Sequence, residues 1–297
     1  MNDPLVPLDF GGWLQRVFRV LWGNLRLLVG LAAVPGAVFA VYLVVLVSVM
    51  PTEAGVQRRV DDIERAASGR SDPVAAFVAL FGPMAAVVLI FSLLLVVLGA
   101  GFVCVTVFLM VRRVNGQPST LGQALRFARP RVLRLAGWFA LAEVVMTLAL
   151  GVPMGLGLLL GPGWLAALGA LVGFLLLAGV LAVAVSSLVG VVVIERRGLR
   201  RAIGLVKGSF WASCGRLAVA GLVAAGYGAA ISPISNLATP SMESVTVGTV
   251  LSAVVQGVLI VPPLMFVAAL CLVSYAELRF QENHGVGTPT LAAELSV

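Results

Sequence analysis

The chain has 297 residues, 60% hydrophobic and only 11% charged, against about 45–50% and about 25% in soluble proteins. A chain this apolar must bury its surface in lipid, with its backbone polar groups satisfied inside helices, which excludes an ordinary soluble domain. Its net charge of +7 falls between hydrophobic runs, and so points to anionic lipid headgroups as partner and not to nucleic acid.

Residues 1–9 read as a disordered N-terminus. From Phe10 the pattern is helical, with Phe10, Trp13, Val17 and Leu21 on one face and Gln15, Arg16, Arg19 and Arg26 toward the other. This predicts a first amphipathic helix in the interface, with Trp13 and Trp22 at headgroup level. Arginines interleaved with Phe and Trp do not make the short apolar core of a cleavable signal. A first span follows at about 27–50, with a kink expected at Pro35. Residues 51–72 form a polar insertion of net charge −1, in which Val56, Val60 and Ile63 give a weak amphipathic pattern.

The apolar stretch 74–111 would be about 57 Å long as one helix, too long for a hydrocarbon core of about 30 Å. Gly82 and Pro83 are expected to divide it, leaving a second span at 84–111 stopped by Arg112 and Arg113. Asn115 and Gly116 predict a turn. Thr120 and Gln123 fit a capping box for a short basic helix to Arg129, and Pro130 suits the first turn of a new one. The third span covers about 135–160, and Gly161, Pro162 and Gly163 turn it into the fourth, 164–194. A basic stretch, Glu195 to Arg216, precedes the fifth span at 217–231. Residues 232–244 are a polar loop, and the sixth span, 245–276, is interrupted by Pro262 and Pro263. Residues 277–297 read as a mobile tail. The fold class is therefore all-α: one polytopic membrane domain, 10–276, of six spans with amphipathic helices on the cytoplasmic side.

Orientation follows from the cations. With the N-terminus inside, sixteen of the twenty basic residues are cytoplasmic, and only the four in the first loop are not. The positive-inside rule therefore places both termini in the cytoplasm. A basic segment precedes a hairpin of spans three times, at 10–26, 119–134 and 197–216, each ending in an arginine (Arg26, Arg134, Arg216). Either this is an internal repeat or any inner loop ends on an arginine. Since all three units enter from one side, they do not form an inverted repeat. In the central stretch Leu199, Ile203, Val206 and Phe210 fall at helical spacing, with Arg200 and Lys207 on a neighbouring face. Such helices lie in the headgroup layer, and Arg16, Arg19, Arg126, Arg129, Arg200, Arg201 and Lys207 are the expected phosphate contacts.

Val193, Ile194 and Glu195, then Gly198, Ala202, Leu205, Val206, Gly208, Phe210 and Trp211 resemble the signature of a bacterial six-span family. That family includes the membrane domain attached to some glycerophosphodiester phosphodiesterases. In it a Glu ends one span, and a basic helix ending in Gly-x-Phe-Trp leads into the next. The stretch from Phe10 to Arg19 is similar to the family's N-terminal helix. The resemblance implies a location in a bacterial plasma membrane. Gly204 and Leu205 depart from the Arg-Ser found in many members. The phosphodiesterase's soluble barrel, with its metal ligands, has no counterpart, so the resemblance carries over no catalytic residue.

Glu143 lies nine residues past Arg134, about 13 Å into the core by helical rise. An acid there costs about 2.5–3.5 kcal/mol on insertion scales, so the expectation is that it faces the bundle interior and finds a partner such as Gln256. Glu143, Gln256, Pro262 and Pro263 form the candidate intramembrane polar site. It is either a proton or substrate site or a structural hydrogen bond between helices. The GxxxG spacings at Gly151, Gly155, Gly157, Gly161, Gly169 and Gly173 predict close packing of the third and fourth spans. Ser186, Ser187 and Thr106 can bond their own helix carbonyls. Cys104, Cys214 and Cys271 and the single His284 make no disulfide or zinc pattern. No nucleophile–base pair, phosphate loop or metal-ligand set is legible, so no cofactor and no enzymatic activity are expected. The leading functional expectation is a membrane scaffold or accessory that binds anionic lipid or a protein partner. The alternatives are a small transporter with a midplane cavity and an orphaned phosphodiesterase anchor.

Overall fold

The computed structural model describes residues 3–6, 10–49, 73–159, 163–237 and 246–295. Eleven α-helices are seen among them: α1 (Phe10–Gly23), α2 (Leu25–Val49), α3 (Pro73–Val114), α4 (Leu121–Leu159), α5 (Gly163–Val183), α6 (Val189–Val193), α7 (Leu199–Lys207), α8 (Phe210–Leu237), α9 (Val247–Leu259), α10 (Val261–Glu282) and α11 (Thr288–Glu294). A π-helical turn, Ala184–Leu188, joins α5 to α6. There is no strand among the described residues, and six helical stretches are long and apolar enough to cross a membrane: Leu25–Val49, Gly82–Val114, Leu121–Pro153, Ala167–Val193, Phe210–Ser235 and Val247–Glu282. The protein is an all-α polytopic membrane protein.

The chain forms two compact units. The first comprises 1–31, 99–226 and 262–297. At its centre is α10, buried without interruption from Ala268 to Leu278. Trp13, Val17 and Leu28 of α1 and α2, Val107, Met110 and Val111 of α3, and Val191–Val193 of α6 are likewise nearly inaccessible. A helix buried on every side must satisfy its polar groups locally, and Ser274 does so by accepting the Trp13 indole N–H at 3.1 Å.

The second unit comprises 32–98 and 227–261. Here α2 and α9 touch at two glycines. A Cβ on Gly36 would lie 2.5 Å from the Gly257 carbonyl oxygen, and one on Gly257 equally close to that of Gly36. Only glycine permits this backbone approach, the usual device where apolar packing must substitute for a hydrophobic drive. Pro262 and Pro263 fall in the first turn of α10, where no intrahelical N–H is needed. The break they impose leaves the Leu259 carbonyl without its helical partner, and the Tyr227 hydroxyl donates to it at 2.7 Å.

Several boundaries differ from the sequence expectations. Pro83 does not divide α3, which runs unbroken to Val114, nor does Pro130 start a new helix within α4. Each proline removes one helical hydrogen bond, and an exposed helix surface tolerates that loss. The Thr120–Gln123 capping box is formed, by bonds of 3.2 and 3.3 Å, and it opens the whole of α4. Gly116 takes the left-handed φ of 71° that the expected turn requires. The chain ends differ most. Leu5 and Val6 are buried, the sixth span continues to Glu282, and α11 occupies much of what reads as a mobile tail. The Asp3 carboxylate explains this, since it accepts the Thr288 N–H at 2.8 Å and the Thr288 hydroxyl at 2.6 Å at the start of α11. Burial works against the ionised Asp3, but these bonds and those from the Leu5 and Val6 N–H groups hold its pKa below the usual value. The insertion 51–72, the turn at Gly161 and Pro162 and the loop 238–245 lie outside the described residues.

Candidate functional site

The most polar part of the first unit lies where α6 ends. Val189–Val193 is too apolar to bond anything but its own backbone, so its last carbonyls need outside donors. Arg131, buried on α4, donates from Nε to the Val193 carbonyl at 3.0 Å while its guanidinium stacks on the Phe127 ring, 3.7 Å from the centroid. Arg134 donates to the Arg196 carbonyl at 3.1 Å. Arg196 itself has a φ of 56°, and the Arg197 N–H returns to the Val191 carbonyl at 3.1 Å. That left-handed turn is one glycine usually makes; an arginine there costs about 1–2 kcal/mol. The reversal leaves Glu195 facing α10.

Glu195 is the hub of a charge network. Its carboxylate meets Arg201 Nε at 2.9 Å and Arg279 Nη1 at 2.7 Å, and accepts the Tyr275 hydroxyl at 2.9 Å. Arg201 also grips Glu282 through both nitrogens at 2.5 Å, and Arg279 reaches Glu294 of α11 at 2.8 Å. Burial pushes the Glu195 pKa up, but the bonds from Arg201 and Tyr275 and the charge of Arg279 outweigh it, leaving the group below its ordinary value. Glu282 and Glu195 together hold Arg201 more firmly protonated than usual. Gly190 makes the arrangement sterically possible: a Cβ there would fall inside the Tyr275 ring. Deeper in, Arg216 of α8 pairs with Glu277 of α10, both buried, and Gln281 donates to the same carboxylate at 3.1 Å.

Around this network lies a cleft of about 670 Å³, lined by four arginines (Arg196, Arg197, Arg201, Arg279) and three glutamates (Glu195, Glu282, Glu294). All three glutamates are ion-paired, while Arg196 and Arg197 are exposed. The cleft can therefore hold an anion or an acidic segment. Among the described residues no group of His, Cys, Asp or Glu is placed to hold a metal ion.

The expected headgroup contacts divide. Arg19, Arg126, Arg129, Arg200 and Lys207 are exposed. Arg16 and Arg201 are not free for phosphate: Arg16 is buried and donates to the Asp3 carbonyl, and Arg201 is held by Glu195 and Glu282. On α7 the face buried in protein is Ala202, Leu205 and Val206, while Ile203 is turned outward and 47% exposed. The turn comes from both sides, since Ser187 of the π-helical segment donates to the Ala202 carbonyl at 3.0 Å while Arg201 is drawn to the glutamates. Gly198 caps α7 against Trp138, a Cβ there coming to 3.6 Å of the ring, and Gly208 ends it. Phe210 and Trp211 stack edge-on at 5.4 Å, with Trp211 81% exposed.

The intramembrane candidate is not assembled within either unit. Glu143 belongs to the first and is exposed, its carbonyl accepting the Thr147 hydroxyl at 2.9 Å, so it does not face an interior as expected. Gln256 belongs to the second, and Pro262 and Pro263 line neither cavity described for the first unit. Gly151 and Gly155 have open space where a Cβ would sit, so they do not serve as close-contact points. Tyr275, Arg279, Glu282, Glu294 and Asp3 were not singled out by the sequence. The available signal was charge balance: Glu195, Glu277, Glu282 and Glu294 fall among the sixteen cations of the basic side. No family model, no curated protein and no solved structure matches this chain.

Proposed function

We propose that this is a non-enzymatic, multi-pass protein of a bacterial plasma membrane, both ends cytoplasmic, acting as a scaffold or accessory whose amphipathic basic face holds anionic lipid. The observation that carries this reading is the exposed side of α7, where Arg200 and Lys207 flank an outward-turned Ile203. An apolar side chain between two cations on one helix face suits the boundary between acyl chains and phosphate. Arg19, Arg126 and Arg129 extend the exposed positive surface. The Glu195 network supports a scaffold by fastening the chain ends to the central basic segment. Orientation rests on the positive-inside bias of the loops.

The test compares spin-labelled phosphatidylglycerol with spin-labelled phosphatidylcholine around the protein in vesicles at low salt. Arg200→Ala combined with Lys207→Ala is expected to weaken the anionic preference by about 1 kcal/mol per charge. Arg201→Ala is expected to leave that preference intact and lower thermal stability instead, because its charge is spent on Glu195 and Glu282. Equal association of both lipids with the wild type would remove the reading.

A further inference from the structure

The first unit has a second cavity, of different character, on its membrane-spanning surface. It is a groove of about 500 Å³ between α4 and α5, bounded by Trp138, Val145, Leu176, Gly179, Ile203 and Phe210. That volume falls in the range of about 300–1,000 Å³ typical of small-molecule sites. No charged side chain lines it. From Leu188 down to Leu175 it follows the α5 segment for about 20 Å at helical rise. The space exists because small residues stand where large ones could. A Cβ at Gly179 would meet nothing within 4 Å, and Ala142 and Ala184 are its other short walls.

Two facts together identify the occupant. Most of the wall belongs to the spans Leu121–Pro153 and Ala167–Val193, so the medium filling the groove is hydrocarbon. The remaining wall, Leu199, Ile203 and Phe210, lies at the basic end. There Arg200 and Lys207 lie three before and four after Ile203 on the same exposed face, and Arg134 stands one helical turn before Trp138. An apolar slot ending in cations matches an amphiphile with one anionic head. A helix of a second copy does not fit: about 10 Å across over the same length, it would need about three times the groove's volume.

We infer that this groove holds one acyl chain of a single anionic phospholipid drawn from the surrounding bilayer, with its phosphate on Arg200, Lys207 and Arg134. The inference rests on the lipid-headgroup reading above and makes it specific, adding a defined site to a charged surface.

Trp138 in the wall supplies the probe. Vesicles of phosphatidylcholine containing wild-type protein are titrated with brominated phosphatidylglycerol or brominated phosphatidylcholine, and the Trp138 signal is taken as the difference from Trp138→Phe. Quenching by the anionic lipid is expected to saturate while it is still a minor component. Gly179→Leu fills the groove with an apolar side chain in open space and is expected to abolish the saturating part while leaving the headgroup preference of the whole protein unchanged. Arg200→Ala with Lys207→Ala should reduce the apparent affinity about fivefold per charge. The inference is overturned if quenching rises in proportion to brominated lipid whatever its head, if phosphatidylcholine saturates as tightly, if neither lipid quenches Trp138, or if Gly179→Leu changes nothing. Loss of all anionic preference in the wild type would instead show that the headgroup reading itself fails, whereas preference without Gly179 sensitivity defeats only the groove.

Discussion

Gly190 offers the sharpest test of the architecture. A β-carbon at this position would lie inside the aromatic ring of Tyr275, a side chain with no exposure at all. Gly190→Ala must therefore expel the ring or separate α6 from α10. Overpacking of a dense interior costs about 1–3 kcal/mol, and losing the Tyr275 hydroxyl from the Glu195 carboxylate about 1.5–3 more. Alanine's better helix propensity returns about 1 kcal/mol, so the net destabilisation is about 1.5–5 kcal/mol. The assay is thermal unfolding of the purified protein, with Gly204→Ala as reference, since a Cβ at Gly204 on α7 meets nothing. That variant should be neutral or slightly stabilising. Tyr275→Phe isolates the hydroxyl, and Gly190→Ala combined with Tyr275→Ala should be less destabilising than the two single changes added, because the clash is gone. Gly190→Ala melting together with Gly204→Ala would refute the packing of α6 on α10, and with it the route by which Glu195 reaches Tyr275.

Two further outcomes follow from the charges. The pKa values of Glu195 and Asp3 are both held below their ordinary values, so their stabilisation is fully present above the unfolded carboxylate range. It is lost as pH falls through the folded values, giving an acid-side melting limb below about pH 4. Glu195→Gln with Asp3→Asn should flatten that limb, and an unchanged acid profile in the double variant would show that neither group is linked to folding. Glu143 is exposed on a span. Glu143→Leu in nanodiscs should consequently be neutral or stabilising, because it removes an insertion cost of about 2.5–3.5 kcal/mol. A lower melting temperature with Leu but not with Gln would restore an interior hydrogen bond and the candidate site built on it.

What the sequence determined by itself was set by local chemistry. Six spans follow from six separate apolar runs, most of them longer than the roughly 20 residues a crossing needs, and from the need to close every backbone hydrogen bond within lipid. The helix at Phe10–Gly23, the turn at Gly116 and the capping box at Thr120 were legible because each depends on residues within four positions of one another. Proline was the exception, since Pro83 and Pro130 look like boundaries by local rule and are carried inside long helices.

Tertiary structure decided which charges are free and which are spent. Arg200 and Arg201 are adjacent and alike in sequence, yet one is exposed and the other grips two glutamates, one of them 81 positions away. Nothing local to α7 distinguishes them, because the choice is made by where α10 brings Glu282. Likewise, long-range contacts, Asp3 with Thr288 of α11 and Arg279 with Glu294, turn the chain ends from polar tails into ordered structure. The groove beside Trp138 depends on Gly179, Ile203 and Phe210, from three separate elements, and becomes a cavity only when α7 is brought beside α4 and α5. Hydrophobic periodicity shows that a face is apolar. Whether that face is filled by protein or left for lipid depends on the shape of its neighbours, and a span in lipid loses nothing by leaving such a face uncovered.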